Sequence, residues 1–266
     1  IFSEIVSCWS ETATAIALSR LFSLDISNEE LVRIIYSGEE KFLSSSKLPS
    51  GVYASLAGKP GKLLYVDLRS SHVEYLSAPV NDSIFVLTVS NVPLIPVDRE
   101  VEERRRDTKK CVEGLNTFKF GTALRDYSKS DLRHGMGVVP EQIRRRCIHV
   151  VDEIARSEEA RIAIKKNDMQ TLGKLMNRSH ESLRDNFEVS CPEIDWLVKR
   201  AQEIEGVYGS KITGTGFGGC TLTLLKNSAI DRYREKLEEY ERIFGFKADM
   251  VNCNISSGAK IIYPVD

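Results

Sequence analysis

An α+β fold is expected of this chain, because long amphipathic helical stretches and short runs rich in β-branched residues follow one another in mixed order, without a regular βαβ repeat. Two of those runs flank a glycine-rich loop, Gly214-Thr215-Gly216-Phe217-Gly218-Gly219. The composition supports a buried core: 266 residues, 42% hydrophobic and 28% charged, suffice for one large domain or two smaller ones.

Taken in order, Ser7 to Phe22 carries Ala13, Ile16, Ala17, Leu21 and Phe22 at helical spacing and predicts a first helix. Ser27 with Glu30 three residues on forms a capping box for a second, which runs to about Phe42 with Leu31, Ile34 and Ile35 as its buried stripe. Ser44 to Gly61 reads as loop with one helical turn near Tyr53 to Leu56. Lys62 to Leu68, His72 to Ala78 and Ser83 to Val89 predict strands of an antiparallel meander. Asp98 to Leu115 is a charged helix, and a polar connector leads from it to Pro140. Further helices are expected from Pro140 to about Ser157, Glu158 to Lys166, Asp168 to Leu183, and from Ser190-Cys191-Pro192-Glu193 to about Glu205. Val207 to Thr213 and Cys220 to Leu225 are the strands beside the glycine loop. Ser228 to Phe244 is a last helix, and Lys247 to Cys253 and Ala259 to Tyr263 are closing strands.

Lys and Arg number 37 against 38 Asp and Glu, a formal net charge of -1 with no long single-sign run. Nucleic acid and an anionic membrane surface are therefore not expected as partners, which leaves a small-molecule sugar or nucleotide, or a protein. No window approaches the roughly 20 apolar residues of a membrane span. The cysteines Cys8, Cys111, Cys147, Cys191, Cys220 and Cys253 lie far apart, with no CxxC pair and no His at ligand spacing. They read as buried thiols of a reducing compartment, in keeping with a cytoplasmic protein. The chain opens at Ile1 rather than Met, and an N-terminal part is expected to precede it.

Gly214-x-Gly216-x-x-Gly219 matches the dinucleotide fingerprint, but that motif must open a helix, and here the strand-like Cys220-Thr221-Leu222-Thr223-Leu224-Leu225 follows. Two readings stay open: a tight interstrand turn, or a loop whose exposed N–H groups approach an anion.

The stretch from Gly209 to Cys220 (GSKITGTGFGGC) closely resembles the third motif of the GHMP kinases in its galactokinase form. His180 to Asp195 (HESLRDNFEVSCPEID), Gly206-Val207-Tyr208-Gly209-Ser210, Arg145 to Ile154 (RRCIHVVDEI), Asn91-Val92 and Glu103-Arg104-Arg105-Arg106 also resemble that family. The resemblance implies a GHMP kinase fold in which residues 1–80 are the remainder of an N-terminal lobe and 81–266 a C-terminal, ferredoxin-like α/β lobe with extra helices. It also implies ATP and Mg2+ as cofactors, and transfer of phosphate to the anomeric hydroxyl of galactose between the lobes. Gly214, Gly216, Gly218 and Gly219 then become nucleotide or phosphate contacts, and Glu39 matches a magnesium-associated glutamate, although a Glu on a charged helix also reads as a solvated surface residue.

The family's first motif has no counterpart. Its second, the phosphate-wrapping loop, falls on Ser3-Glu4-Ile5-Val6-Ser7-Cys8-Trp9-Ser10-Glu11, where only Ser7 and Glu11 fit; from this motif Ser7 is carried over as a phosphate contact. Ungapped from Gly38 to Ser70, the catalytic aspartate of the family falls on Gly51, which cannot accept a proton, so no catalytic residue is assigned. Val101 stands where the family has a galactose-contacting tyrosine, and Leu94 and Ile95 replace polar residues of that loop. Tyr53, Phe187, Trp196 and Tyr208 read as packing. A cleft containing the glycine loop, Glu39 and Gly51 is expected. The leading reading is a galactokinase-like protein with impaired or absent catalysis, a pseudokinase retained for ligand binding or sensing in galactose metabolism. The alternative is an active ATP-dependent galactokinase with an unusual active site, and a mevalonate-type kinase is a third reading.

Overall fold

The computed structural model describes residues 2–42, 50–78, 82–93, 97–135, 137 and 139–262, with the side chains of 2–9, 39, 40 and 98 outside the description. Leu94 and Ile95 lie outside the described residues. The chain divides into two compact units, one of residues 1–78 and 254–266, the other of residues 79–253.

The first unit contains α1 (Phe2–Leu21), α2 (Asn28–Phe42), α3 (Ser50–Ala57), β1 (Lys62–Asp67) and β2 (His72–Ser77). Leu31, Val32 and Ile35 of α2 pack on Val52, Tyr53 and Leu56 of α3, with Ala15 and Ile16 of α1 and Val66 and Val73 of the strands against them. The expected capping box forms: the Ser27 N–H donates to Glu30 Oε2 at 2.9 Å, and the Glu30 N–H to Ser27 Oγ at 3.3 Å. Ile34 is not part of the stripe; it is 55% exposed, and Val32 is buried in its stead. On α1, Thr12, Ala15 and Ile16 turn inward while Ala13, Ala17 and Leu21 are exposed, as is Phe22 just beyond its end.

The stretch expected as loop contains the eight-residue α3, because Val52, Tyr53 and Leu56 set one face into the core despite Gly51 in the first turn. β1 and β2 form a hairpin, Lys62 opposite Ser77 through Asp67 opposite His72. Asp67 Oδ1 closes its turn by accepting from the N–H groups of Arg69 at 2.8 Å and Ser70 at 3.3 Å. The chain end expected to follow the second part of the molecule instead belongs to this unit. Gly61 N–H donates to the Ile255 carbonyl at 3.2 Å, Gly258 N–H to Gly58 at 2.8 Å, and Ala259 N–H to Ser55 at 2.6 Å. Gly58 and Gly258 permit that contact: a Cβ on Gly258 would lie 2.6 Å from the Ser55 carbonyl oxygen. No strand forms over Ala259–Ile262, where the Ala259 N–H bonds to Ser55 of α3 and not to a ladder, and Tyr263 lies outside the described residues.

The second unit is built on one four-stranded antiparallel sheet in the order β4-β5-β3-β6, with β3 (Ser83–Val89), β4 (Val207–Thr213), β5 (Cys220–Lys226) and β6 (Asp249–Cys253). The meander is thereby corrected: β3 pairs with β5 and β6, and not with β2. α8 (Pro192–Gln202) and α9 (Ile230–Phe244) bring Ile194, Leu197, Val198, Tyr233, Leu237 and Tyr240 onto one side of the sheet with Leu225. α6 (Glu141–Lys165) and α7 (Met169–Asp185) set Ala163, Leu172 and Met176 against Leu224 on the other. Successive β5 residues thus face opposite helical layers, as the pleat requires. α6 is one helix where two were expected, since nothing between Ser157 and Glu158 interrupts its ladder.

α4 (Asp98–Asn116), α5 (Lys129–Gly135) and α6 enclose a separate cluster of Cys111, Leu115, Leu124, Tyr127, Leu132, Ile143, Cys147 and Val151. α5 lies within the expected connector and carries its own box, Ser128 N–H to Asp131 Oδ2 at 2.8 Å and Asp131 N–H to Ser128 Oγ at 3.2 Å. Cys111 and Cys147 form a disulfide between α4 and α6, with their Cα atoms 6.1 Å apart, which corrects the reading of every cysteine as a thiol. Burial pushes the free thiols of Cys191 and Cys220 up to about 11. Among the described residues, no helix is long and apolar enough to cross a membrane.

Candidate functional site

Thr213 of β4 and Cys220 of β5 are the last paired residues before the glycine loop. Gly214, Gly216, Phe217, Gly218 and Gly219 all have positive φ, between 58° and 117°, a backbone that ordinary side chains resist. Gly216 is required twice over, because a Cβ at its φ of +93° would stand 2.6 Å from the Val189 carbonyl oxygen. At Gly214, which is exposed, nothing among the described residues lies within 4 Å of the Cβ position. The buried side is pinned. Phe217 N–H donates to the Val189 carbonyl at 2.6 Å, and Ser90 N–H donates to the Gly219 carbonyl at 2.8 Å.

Val189 belongs to the segment joining α7 to α8, and that segment is held by arginines. Arg104 of α4 donates from Nε to the Phe187 carbonyl at 2.9 Å and from Nη2 to the Glu188 carbonyl at 2.8 Å, while its guanidinium lies 5.7 Å from the centre of the Phe217 ring. Arg145 of α6 pairs with Glu188 Oε1 at 2.7 Å. Arg146, 1% exposed, reaches Glu188 Oε2 at 3.4 Å, Glu103 Oε1 at 3.1 Å and Asp107. Burial alone would lower the Arg146 pKa, but the hydrogen bonds that its guanidinium donates to Glu103 and Asp107 outweigh it and raise the value. The hydrogen bond from Arg146 in turn holds the Glu103 carboxyl below its usual range. None of these supports was assigned a role from sequence; the runs Glu103 to Arg106 and Arg144 to Arg146 were the available signal.

β4, which leads into the loop, is fixed from behind. Lys211 Nζ lies 3.5 Å from Glu153 Oε1, which also accepts from Ser179 Oγ at 2.5 Å. Ile212 N–H donates to His180 Nδ1 at 3.4 Å, and His180 Nε2 lies 3.3 Å from Asp195 Oδ1, itself the acceptor of the Ser190 hydroxyl at 2.6 Å.

The remaining candidates belong to the first unit. Ser7 lies in α1 and Glu39 in α2, and the side chains of both fall outside the description. Gly51 is exposed in the first turn of α3, where no acidic residue occurs. Phe187 packs on His149 at 4.6 Å, Tyr53 lies in the core of the first unit, and Trp196 packs against the α8–α9 core of the second, as expected of packing residues.

Residues 160–242 match the family described as GHMP kinases C terminal. The galactokinase of Roseiflexus sp. strain RS-1 is 34% identical over 93% of this chain and 64% of its own length. That of Thermotoga petrophila is 32% identical over 95% of this chain and 70% of its own. The chain belongs to the galactokinase family of GHMP kinases. The crystal structure of Lactococcus lactis galactokinase complexed with galactose superposes with a TM-score of 0.91 at 26% identity, over 95% of this chain and 66% of that one. The chain spans less than two-thirds of the length of the first galactokinases it matches, 64% of the Roseiflexus protein and 55% of the human one. The α+β GHMP kinase fold is thus the fold of this molecule.

Kinases of this family imply ATP. Within the second unit, the open tip at Gly214 and the left-handed backbone of the loop fit a phosphate group. Among the described residues no cluster of three or more His, Cys, Asp or Glu is arranged to hold a metal ion.

Proposed function

We propose that this galactokinase-family chain keeps the binding architecture for a sugar and a nucleotide but turns over poorly or not at all, and acts through ligand binding or sensing. One observation carries the proposal: between Glu40 and Asp67 the sequence contains no acidic residue, so no change of register near Gly51 supplies a base. Asp67 already serves as the acceptor of the β1–β2 turn. Phosphoryl transfer depends on positioning and electrostatics, and the loss of a general base costs about 10²–10⁴-fold on its own. The departures at Ser3 to Glu11, with Cys8 and Trp9 where the family has small residues, add a loss of phosphate positioning.

In this reading the glycine loop contacts the nucleotide phosphates through Gly214, Gly216, Gly218 and Gly219, with Ser7 as a further contact and Glu39 beside Mg2+. ATP, when bound, supplies the phosphoryl group; the residues of this chain bind and orient it. A protein partner fits a sensor role. A cytoplasmic location belongs to the same proposal, and the Cys111–Cys147 disulfide is the observation that weighs against it.

The names of the relatives favour only slightly a second reading, an active galactokinase that phosphorylates the sugar at its anomeric hydroxyl. A coupled assay on the full-length protein with galactose, ATP and Mg2+ separates the two. The proposal expects a rate at least about 10²-fold below the 1–100 s⁻¹ of ordinary kinases. A rate within that range establishes the second reading.

A further inference from the structure

We propose that Glu188 is the positioning residue of the glycine loop, and that it holds the loop in shape for a phosphate ligand through Val189. The proposal rests on the phosphate-binding reading of that loop.

Glu188 has φ +58°, a backbone state that costs a non-glycine residue on the order of 1 kcal/mol, and glycine or asparagine would occupy it at lower cost. What the glutamate contributes in return is its carboxylate, which takes Arg145 on one oxygen and Arg146 on the other. Its carbonyl accepts from Arg104, and the same guanidinium lies over the Phe217 ring. Three arginines from two helices therefore converge on one residue of a connecting segment. The next residue, Val189, gives its carbonyl to the Phe217 N–H and fills the space that a Cβ on Gly216 would need. The left-handed turn at Glu188 aims that carbonyl, and the arginines fix the turn. The exposed tip at Gly214 and Thr215 makes no part of this contact, so support on the inner side leaves the outer side free to bind.

The test compares wild type with Glu188→Gly, which relieves the backbone cost while removing the carboxylate, and with Glu188→Gln, which keeps an acceptor oxygen. Amide hydrogen exchange is read at Phe217 and the loop 214–219, and, as an internal control, at the amides of β5. The proposal predicts that exchange at Phe217 rises at least tenfold more than exchange in β5 for Glu188→Gly, with a smaller rise for Glu188→Gln. A residue that only stabilises the unit would raise both in equal proportion, and that result, or no change, overturns the proposal. A calorimetric titration with MgADP adds the ligand arm: binding at least tenfold weaker in Glu188→Gly than in wild type supports the proposal, and equal binding overturns it. If wild type binds no MgADP, the phosphate-binding reading of the loop fails, while the exchange experiment still decides whether Glu188 positions it.

Discussion

His149 shows what burial does to a single titratable side chain. It is 5% exposed and bonded to Ser182 Oγ at 2.9 Å, and its pKa is pushed down to about 4, first by burial, with Glu153 opposing and Arg156 and Lys211 assisting. Between pH 6.5 and about 4 the unfolded chain takes up a proton that the native imidazole refuses. Stability attributable to this residue therefore falls as the pH drops through that window, by at most about 1.4 kcal/mol per pH unit. Denaturant midpoints at pH 7, 6 and 5 should decline less steeply for His149→Gln than for wild type; parallel declines would contradict the assignment. Gly216 and Gly214 make a second pair of tests at this scale. Both have positive φ, but only Gly216 faces a carbonyl oxygen at 2.6 Å from a new Cβ. Gly216→Ala should cost about 2–3 kcal/mol and Gly214→Ala about 1, read as denaturant midpoints, and equal costs would argue against the loop geometry. The glycine loop was legible in the sequence because four of its six residues report their own backbone. Its arginine support was not, because Arg104, Arg146 and Glu188 meet only once α4, α6 and the α7–α8 segment are folded.

Elements were read correctly where the signal was local. The Ser27–Glu30 box opened α2, and Pro192 opened α8, whose cap is Cys191, while the Ser190 hydroxyl bonds Asp195. They were misread where packing decides. α3 and α5 are short and rich in loop-like residues, and each exists because one face finds a core. β3 follows the β1–β2 hairpin in sequence, yet its partners β5 and β6 lie more than a hundred residues downstream, and periodicity cannot name a distant partner. The Cys111–Cys147 bond was invisible for the same reason, since its cysteines are separated by 36 residues. That bond joins α4 to α6 next to Arg146. A loop of this size implies that its reduction lowers the stability of the second unit by about 2–4 kcal/mol. Unfolding midpoints measured with and without a thiol reductant should differ accordingly; coincident midpoints would mean that the two cysteines contribute no cross-link.

At the scale of the whole molecule, the residues of the proposed site are divided between the two units. The second has the glycine loop with an inner scaffold and an open tip, and the first has Ser7, Glu39 and Gly51 on three successive helices. Fold and family were readable because the stretch from His180 to Cys220 is long and specific, while the consequence of Gly51 at the expected base position belongs to the proposed function. The most direct measurement is the rate of phosphate transfer from ATP to galactose by the full-length protein, set beside that of Gly51→Asp. The account predicts a wild-type rate at least about 10²-fold below ordinary kinase rates, with the aspartate variant equal or faster. Wild-type turnover of about 1–100 s⁻¹, unimproved or slowed by the aspartate, would contradict it.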